Sequence, residues 1–308
     1  MDATERKRVV ITGGSGFLGV NLARYLIEEG FAVTIVSRNK PTAAGGWAFR
    51  KWDGRTRGDW SASIDGAHAV VNLAGRTVDC VKTPLHCDQI LRSRVESTRA
   101  LGLAVQAAKI KPKVWVQMST AHIYGDSELK CDESSATGYG LAPTVGKAWE
   151  EAFDESCPEG VRRVILRTTF VLGKEGAALK KLSLVARLGL GGTISTGKQG
   201  ISWIHERDMN RVFVHAIEDE AMRGVYIASS PKPVSNWEFM RLLRKAIGMP
   251  IGLPAPAWVI RVAAPLVMKT DPELAIYGRY CVPRRLMDEG FGFEYPELDS
   301  ALRELCGK

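Results

Sequence analysis

A cluster of glycines follows a short β-branched run near the start of the chain and restricts the fold more than any other feature. Residues 8–12 read RVVIT, which is typical of a buried strand, and the next seven residues read GGSGFLG. Apolar residues then recur at helical spacing over 17–29, and Gly30 is placed to end that helix. A second strand-like run at 31–36 completes a strand–helix–strand unit of about thirty residues, the size of a right-handed crossover in a parallel sheet.

The spacing of these glycines, G-x-x-G-x-x-G between a strand and a helix, is typical of a dinucleotide-binding turn. Such a turn needs a tight bend at its first glycine, a side-chain-free approach to a pyrophosphate at its second, and close helix-to-strand packing at its third. The helix N-terminus then faces the phosphates. The alternative is a glycine turn with a purely structural purpose. The residues expected to bind the cofactor through this turn are Gly13, Ser15, Gly16, Phe17, Leu18 and Gly19.

The end of the second strand distinguishes between the two nicotinamide cofactors. An acidic residue about twenty positions beyond the glycines would accept a hydrogen bond from the ribose 2′-hydroxyl of NAD. This chain instead reads VSRNK over 36–40, and Ser37 and Arg38 offer a hydroxyl and a guanidinium to a 2′-phosphate. We therefore favour NADP(H) over NAD(H), the alternative being that Arg38 is a solvated loop residue.

Strand-like and helical patterns alternate over most of the chain. Buried-looking strands are predicted at 69–73, 114–118, 164–169 and 225–228, and helices at 88–109, 144–156, 177–189 and 206–219. Alternation of this kind predicts an α/β protein with a Rossmann-type doubly wound parallel sheet that is covered on both faces.

The pattern changes beyond about residue 230, where prolines separate further helical stretches. Helices are predicted at 235–247, 256–268, 282–289 and 297–305, and Ser235 followed by Glu238 has the spacing of a capping box. We expect two domains: an NADP-binding Rossmann domain over 1–230, with a cleft-lining insertion at about 174–200, and a small, mainly helical C-terminal substrate domain over 231–308.

The positive charge of the chain is local. Lys and Arg number 42 against 34 Asp and Glu, a formal net charge of +8. Residues 161–190 hold seven basic side chains and one acidic one, whereas 111–160 hold four basic and nine acidic ones. A nucleic-acid-binding protein needs its basic residues on one face, so this distribution argues against one. It favours an anionic substrate held by the basic stretch, unless that stretch is the solvated face of an amphipathic helix.

The sequence gives little support for a metal site, a disulfide framework, a secretory signal or a membrane-spanning segment. The six cysteines form no C-x-x-C pair, and Cys80, His86 and Cys87 lack a fourth ligand, so we predict neither a metal site nor a disulfide framework. The first ten residues lack the apolar stretch of a secretory signal. The apolar tract at 253–268 is too short to span a bilayer. We expect a cytoplasmic protein with no membrane partner.

Several further motifs resemble those of the extended short-chain dehydrogenase/reductases, and more closely their atypical branch described as sugar-nucleotide epimerases with a C-terminal domain of unknown function. The resemblance covers nearly the whole chain. It rests on TGGSGFLG at 12–19, Trp52-Asp53, NLAG at 72–75, Ser93-Arg94, Tyr124-Gly125, Trp149-Glu150, RTTFVLG at 167–173, LGLGG at 188–192, WIH at 203–205 with Asp208, and VPRRLMDEGFGFEYPEL at 282–298.

The resemblance implies a set of cofactor contacts beyond the glycine turn. It implies that Asp53 lies near the adenine, and that Arg94 and the backbone at Val171 approach the cofactor. The middle of the cofactor would be lined by Leu73, Ala74 and Gly75. Each of these positions also has a structural interpretation, and for His205 and for the pair Trp149 and Trp203 packing is the favoured one.

Catalysis in this family uses a Tyr and a Lys four positions later on one helix, where the ammonium makes the phenol a usable base. Lys147 is the matching lysine, but Pro143 stands four positions before it and cannot exchange a proton. Thr120 matches the family's Ser or Thr that holds the substrate. Tyr139 would supply a phenol if its loop folds into the site; His122 and Tyr124 are alternatives.

Together these features predict an NADP(H)-dependent oxidoreductase or epimerase acting on a small, anionic, carbohydrate-like substrate such as a nucleotide sugar. Pro143 motivates a second hypothesis, a non-catalytic NADP(H)-binding regulatory protein. The partners expected are a phosphorylated small molecule and a second copy of the chain, with no nucleic acid.

Overall fold

The structure is a computed structural model that describes residues 6–307, so residues 1–5, part of the segment in which a secretory signal was considered, lie outside the described residues. The strands are β1 (Arg8–Thr12), β2 (Ala32–Ser37), β3 (Ala48–Lys51), β4 (Ala69–Asn72), β5 (Val114–Thr120), β6 (Lys130–Cys131), β7 (Arg162–Thr168), β8 (Phe170–Leu172), β9 (Gly200–Ile201), β10 (Trp203–His205), β11 (Gly224–Ala228), β12 (Val234–Ser235) and β13 (Tyr280–Cys281).

The helices are α1 (Phe17–Glu28), α2 (Pro84–Ala107), α3 (Leu141–Ser156), α4 (Ala177–Val185), α5 (Glu206–Glu218), α6 (Asn236–Ala246), α7 (Ala257–Ala263), α8 (Glu273–Ile276), α9 (Arg284–Asp288) and α10 (Leu298–Cys306). Short 3₁₀ turns occur at Asp59–Ser63 and Ala121–Tyr124, and α4 and α7 continue into π-helical turns at Ala186–Leu190 and Ala264–Met268.

Seven strands form one parallel sheet in the order β11-β7-β5-β4-β1-β2-β3. From β1 the chain first adds β2 and β3 on one side, then crosses over and adds β4, β5, β7 and β11 on the other. The strand order therefore reverses between β1 and β4, and in an open parallel sheet the crevice beyond the carboxyl ends of such a pair is where ligands bind. The predicted Rossmann-type doubly wound sheet is confirmed.

Both faces of this sheet are buried. Val9 and Ile11 of β1 pack on one side, in a cluster that includes Leu22 of α1 and Phe213 of α5. Val10 points to the opposite side, where a second cluster includes residues of α2 and α3. Burial on both faces explains why the strands read as continuous apolar runs rather than as alternating ones.

A third apolar cluster joins the C-terminal helices to the rest of the molecule. Phe239 of α6 and Leu302 of α10 pack with Leu172 of β8 and Trp203 of β10. The side chain of Ser235 accepts a hydrogen bond from the backbone N–H of Glu238, which confirms the cap of α6. The C-terminal region is mainly helical, as expected, and its division from the sheet at residue 230 stays a prediction.

Two of the differences between predicted and observed helices have an identifiable local cause. The helix predicted to begin at 88 begins at Pro84, because Thr83 accepts a hydrogen bond from the N–H of His86 and proline suits the first turn. The helix predicted over 256–268 changes its winding at Ala264, immediately before Pro265.

Candidate cofactor-binding and catalytic site

The glycine turn after β1 contacts the loop after β4 at the switch point. Gly13 has a φ of +72°, and a Cβ built there would lie 2.6 Å from the backbone nitrogen of Ala74. A Cβ at Gly19 would lie 2.3 Å from the Cα of Gly14. Packing within the protein therefore explains the glycines at positions 13 and 19.

Packing does not explain the glycine at position 16. A Cβ built on Gly16 would meet no atom within 4 Å, and the residue is exposed. Gly16 also precedes α1 without a side-chain cap, so the first N–H groups of the twelve-residue helix have no side-chain acceptor there. An open cradle at a helix N-terminus is what a pyrophosphate requires, and the exposed Ser15 lies beside it.

A buried amide network fixes the end of β4. Asn72 Oδ1 accepts hydrogen bonds from Thr12 Oγ1 at 2.7 Å and from the N–H of Ala74 at 3.1 Å. Its Nδ2 donates to Thr98 Oγ1 at 3.1 Å and to Gln117 Oε1 at 3.0 Å. Because the amide is fully buried and all four bonds are made, Asn72 holds the first residues of the loop at 73–75 in one conformation.

Arg94 of α2 contacts the loop at 73–75 and the residue that follows it. A Cβ at Gly75 would lie 3.2 Å from the Arg94 guanidinium carbon, so glycine lets the two approach. The guanidinium donates to the carbonyl of Arg76 and stands 4.9 Å from the ring centre of Trp149. Burial lowers the pKa of Arg94 to about 10. Leu73 is partly buried, Ala74 is buried and Gly75 is exposed.

At the end of β2, the structure separates the two residues expected to face a 2′-phosphate. Ser37 is buried and its hydroxyl donates to the carbonyl of Asn39 at 2.8 Å. Arg38 is exposed and has no ion pair within residues 6–307. Asp53 accepts hydrogen bonds from the hydroxyl and N–H of Thr56 and from the N–H of Arg55. Burial raises the pKa of Asp53, and these bonds outweigh that effect and lower it.

Val171 packs against the apolar cluster on one face of the sheet. It lies in β8, opposite Ile204 of β10, and is partly buried. The ring of Phe17 packs close to Gly173, where a Cβ would lie 2.4 Å from the ring. Glu206 links α5 to α1 in the same region, because its carboxylate accepts a hydrogen bond from Asn21 of α1 at 2.8 Å.

The predicted catalytic residues occupy different environments. Thr120 ends β5 and its Oγ1 accepts a hydrogen bond from the N–H of His122 at 3.1 Å. Lys147 is exposed on α3, which packs against the turn after β5: a Cβ at Gly146 would lie 3.1 Å from Ile123.

Tyr139 is 96% exposed, so its phenol is not in the crevice in this structure. Pro143 is buried in α3, one turn before Lys147.

Tyr124 belongs to a buried ion network. Arg167 donates to Tyr124 Oη at 2.8 Å and to the two carboxylate oxygens of Glu150 at 3.0 and 2.8 Å. Ser119 Oγ donates to Glu150 Oε1 at 2.6 Å. Burial raises the pKa of Tyr124, and the Arg167 cation offsets this only in part. Tyr124 is thus a structural member of this network.

The residues expected to pack do so. Trp149 and Trp203 are buried, and their indole nitrogens donate to Thr98 Oγ1 and to the carbonyl of Lys232. His205 is 1% exposed, stacks on Tyr295 at 3.9 Å and lies 3.1 Å from Glu304.

The basic excess of residues 161–190 is mostly neutralised by the fold. Lys174, Lys180 and Lys181 pair with Glu304, Glu175 and Asp79. Arg167 pairs with Glu150, whereas Arg162 and Arg163 keep their charge and donate to backbone carbonyls, at Ala216 and Cys157 among others. The sequence count therefore overstated the free positive charge of this segment, because Lys174, Lys181 and Arg167 pair with acidic residues outside it.

The parallel sheet, the glycine turn and the switch-point crevice define a protein of the extended short-chain dehydrogenase/reductase class. Residues 9–227 match the NAD dependent epimerase/dehydratase family, and residues 255–305 match a domain of unknown function, DUF1731. The chain belongs to this epimerase/dehydratase family. Membership supports dependence on a nicotinamide dinucleotide in general terms.

Relatives share nearly the whole length of the chain. Epimerase family protein SDR39U1 of Bos taurus is 32% identical over 97% of this chain and 99% of its own. Epimerase family protein YfhF of Bacillus subtilis is 30% identical over 96% and 97%. The crystal structure of human SDR39U1 with NADPH is 31% identical, covers 97% of this chain and 99% of that one, and has a TM-score of 0.86.

No helix within residues 6–307 has both the length and the apolar character needed to cross a membrane.

Proposed function

We propose that the protein binds NADP(H) at the switch-point crevice and acts there as an oxidoreductase or epimerase on a small, anionic, carbohydrate-like substrate. The observation that carries the proposal is Gly16, whose missing side chain leaves an open cradle at the N-terminus of α1 that packing does not require. The human relative whose structure contains NADPH supports the same cofactor.

The preference for the phosphorylated cofactor rests on Arg38. No acidic residue follows β2 within 38–40, and Arg38 is exposed beyond the strand end without a protein counter-ion among the described residues. A planar guanidinium binds phosphate through paired hydrogen bonds. Ser37 contributes less than the sequence indicated, because its hydroxyl already donates to Asn39.

Replacing Arg38 with Asp is expected to reverse the order of cofactor affinities, because the new carboxylate repels a 2′-phosphate and accepts a hydrogen bond from a 2′-hydroxyl. The measurement is thermal stabilisation by NADPH and by NADH at equal concentration, since a ligand that binds only the folded state stabilises it by mass action. Arg24→Asp, at an exposed site on α1, is the charge-matched control. Unchanged preference in Arg38→Asp would remove the basis for NADP(H).

Substrate chemistry is assigned to residues at the carboxyl end of β5 and on α3. The hydroxyl proton of Thr120 is available to a substrate oxygen, because the bond from His122 uses Thr120 Oγ1 as the acceptor. Lys147 would hold the nicotinamide ribose. When bound, the cofactor supplies the hydride donor or acceptor. The loop that carries Tyr139 and Gly140 would have to move inward for the Tyr139 phenol to reach the substrate.

Turnover is tested by following nicotinamide absorbance at 340 nm, and label exchange at sugar carbons, with a panel of sugar nucleotides and small carbonyl compounds. We expect Lys147→Ala to lower the rate about 100-fold or more, and Lys111→Ala, at the amino end of β5, to leave it unchanged.

Absence of turnover across the panel, with Lys147→Ala leaving NADPH affinity unchanged, would instead favour the second candidate, a non-catalytic NADP(H)-binding regulatory protein. Pro143 and the exposed Tyr139 favour that candidate.

A phosphorylated substrate, association with a second copy of the chain and a cytoplasmic location stay predictions of the sequence.

A further inference from the structure

We propose that Arg279 and His122 form a binding site for an oxyanion of the substrate, a carboxylate or a phosphate, where the C-terminal segment meets the carboxyl edge of the sheet. The inference rests on the proposed function and narrows its substrate to a sugar that carries an acidic group close to the reacting carbon. Four features of the structure support it.

First, the backbone of Arg279 is fixed from both sides. Its N–H donates to the carbonyl of Gly200 at 2.9 Å, and its carbonyl accepts from Ser202 Oγ at 2.8 Å. The preceding Gly278 donates to Asp126 Oδ1 at 2.8 Å, and a Cβ there would lie 2.3 Å from the carbonyl oxygen of Gly200. The segment therefore has little room to shift, and the direction of the Arg279 side chain is set by the fold.

Second, the guanidinium of Arg279 is largely unused. Its Nε donates to the carbonyl of Gly125 at 2.7 Å, in the loop that follows β5. Within residues 6–307 its two terminal nitrogens have neither a hydrogen-bond acceptor nor a carboxylate within 4.0 Å. Burial lowers the pKa of Arg279, and Cys281 and Asp126 offset this only in part. A partly desolvated cation with free paired donors is suited to a bidentate oxyanion.

Third, His122 belongs to the turn that Arg279 contacts, because the N–H of Gly125 donates to the carbonyl of His122 at 3.0 Å and Arg279 Nε donates to the carbonyl of Gly125. His122 follows Thr120 by two residues, and its ring nitrogens make no hydrogen bond to the described residues. Burial, with Arg279 and Lys82 nearby, lowers the pKa of His122 to about 3, so the ring is neutral at physiological pH. A neutral imidazole keeps one N–H donor, which can join the guanidinium in binding one oxyanion.

Fourth, the neighbouring charges do not already satisfy Arg279. Lys82 has its own counter-ion, since its Nζ lies 3.7 Å from Asp271 Oδ2. Asp126 is exposed and accepts the N–H of Gly278. Arg279 is thus the cation near His122 that lacks a counter-ion among the residues that the structure describes. Because Thr120 Oγ1 accepts the backbone N–H of His122, an oxyanion bound here would bring the adjacent sugar carbons toward the hydroxyl of Thr120.

The test is binding of D-glucuronate and of D-glucose 1-phosphate to the full chain saturated with NADPH, with D-glucose as the neutral comparison. The two acids separate the carboxylate source of the oxyanion from the phosphate source. We expect at least one acid to bind tenfold or more tightly than glucose, and Arg279→Gln to remove that advantage. Arg284→Gln, which removes an exposed cation five residues further on, is the matched control and should keep it.

A second variant distinguishes loss of the binding site from loss of fold, because Arg279→Gln also removes the hydrogen bond to the carbonyl of Gly125. His122→Asn breaks no side-chain hydrogen bond of the described residues and is expected to weaken binding of the same acid several-fold. The bound acid should also shift the His122 ring proton signals in NMR spectra of the wild type, and Arg279→Lys should recover only part of the affinity. Equal binding of glucose and both acids, or unchanged affinity in both variants, would overturn the inference, whereas retained NADPH binding would show that the cofactor site is intact.

Discussion

Replacing Gly16 with Val is expected to weaken NADPH binding by about 100-fold or more, a loss of roughly 3 kcal/mol, while the folded protein changes little. The φ of −82° and ψ of 177° at Gly16 are accessible to Val, and no protein atom stands within 4 Å of the new Cβ. The unfolding free energy should therefore fall by no more than about 1 kcal/mol, the effect of a poorer N-cap residue. Calorimetric titration with NADPH and denaturant unfolding of the same samples measure the two effects.

Two other glycines provide the comparison. Gly292→Val places the same side chain at another open position and should alter neither property. Gly13→Ala should instead destabilise the protein by about 2 kcal/mol or more, because the residue has a φ of +72° and its Cβ would overlap the backbone of Ala74. If Gly16→Val bound NADPH normally, the open cradle would not be the pyrophosphate site.

Glu150→Gln is expected to give the largest loss of stability among single polar substitutions at the site, about 3 kcal/mol. The Glu150 and Arg167 side chains are 12% and 10% exposed, so the change leaves a nearly buried guanidinium without its counter-ion. Two further partners are affected, because Ser119 donates to Glu150 and Arg167 donates to Tyr124. Denaturant unfolding in urea measures the change, with the midpoint and the slope compared separately.

The neighbouring Glu151 is exposed and has no ion pair within residues 6–307, so Glu151→Gln is the control and should change stability by less than about 0.5 kcal/mol. Equal stability of the two variants would mean that the network does not hold the end of β5. Because Ser119 and Tyr124 flank Thr120 and His122 along the chain, this network positions the residues to which substrate chemistry is assigned.

Much of the fold could be predicted from local patterns. The strands of the sheet that are buried on both faces appear as apolar runs, and the turn after β1 is defined by glycines whose spacing matches a physical requirement of the turn itself. Here the sequence and the structure agree because each feature depends on residues that are close along the chain. Strands of two or three residues, such as β8 and β10, are too short to show a period and were not predicted.

The charges of the site could not be predicted, because their partners are distant in sequence. Seven basic residues within 161–190 indicated a cationic cleft, and the structure pairs most of them with groups from other segments. Conversely, no local pattern singles out Arg279. It meets Gly125, in the turn that begins at His122, only because the C-terminal segment folds back against the loop after β5.

The role of Asn72 could be predicted in part from the sequence, more than the charges of the site and less than the glycine turn. The family resemblance of NLAG at 72–75 implied a role for the loop at 73–75, but the four hydrogen bonds that hold Asn72 come from β1, α2, β5 and its own loop. Residue type and position could be read from the sequence, whereas the reason for an amide at that position required the tertiary structure.

The measurement that tests the central claim most directly is an equilibrium titration of the wild-type chain with NADPH and with NADH, followed by the fluorescence of the bound nicotinamide. A cofactor site at the switch point, with Arg38 beside it, predicts one NADPH bound per chain and an affinity about tenfold or more above that for NADH. Failure to bind either dinucleotide, or tighter binding of NADH, would contradict it.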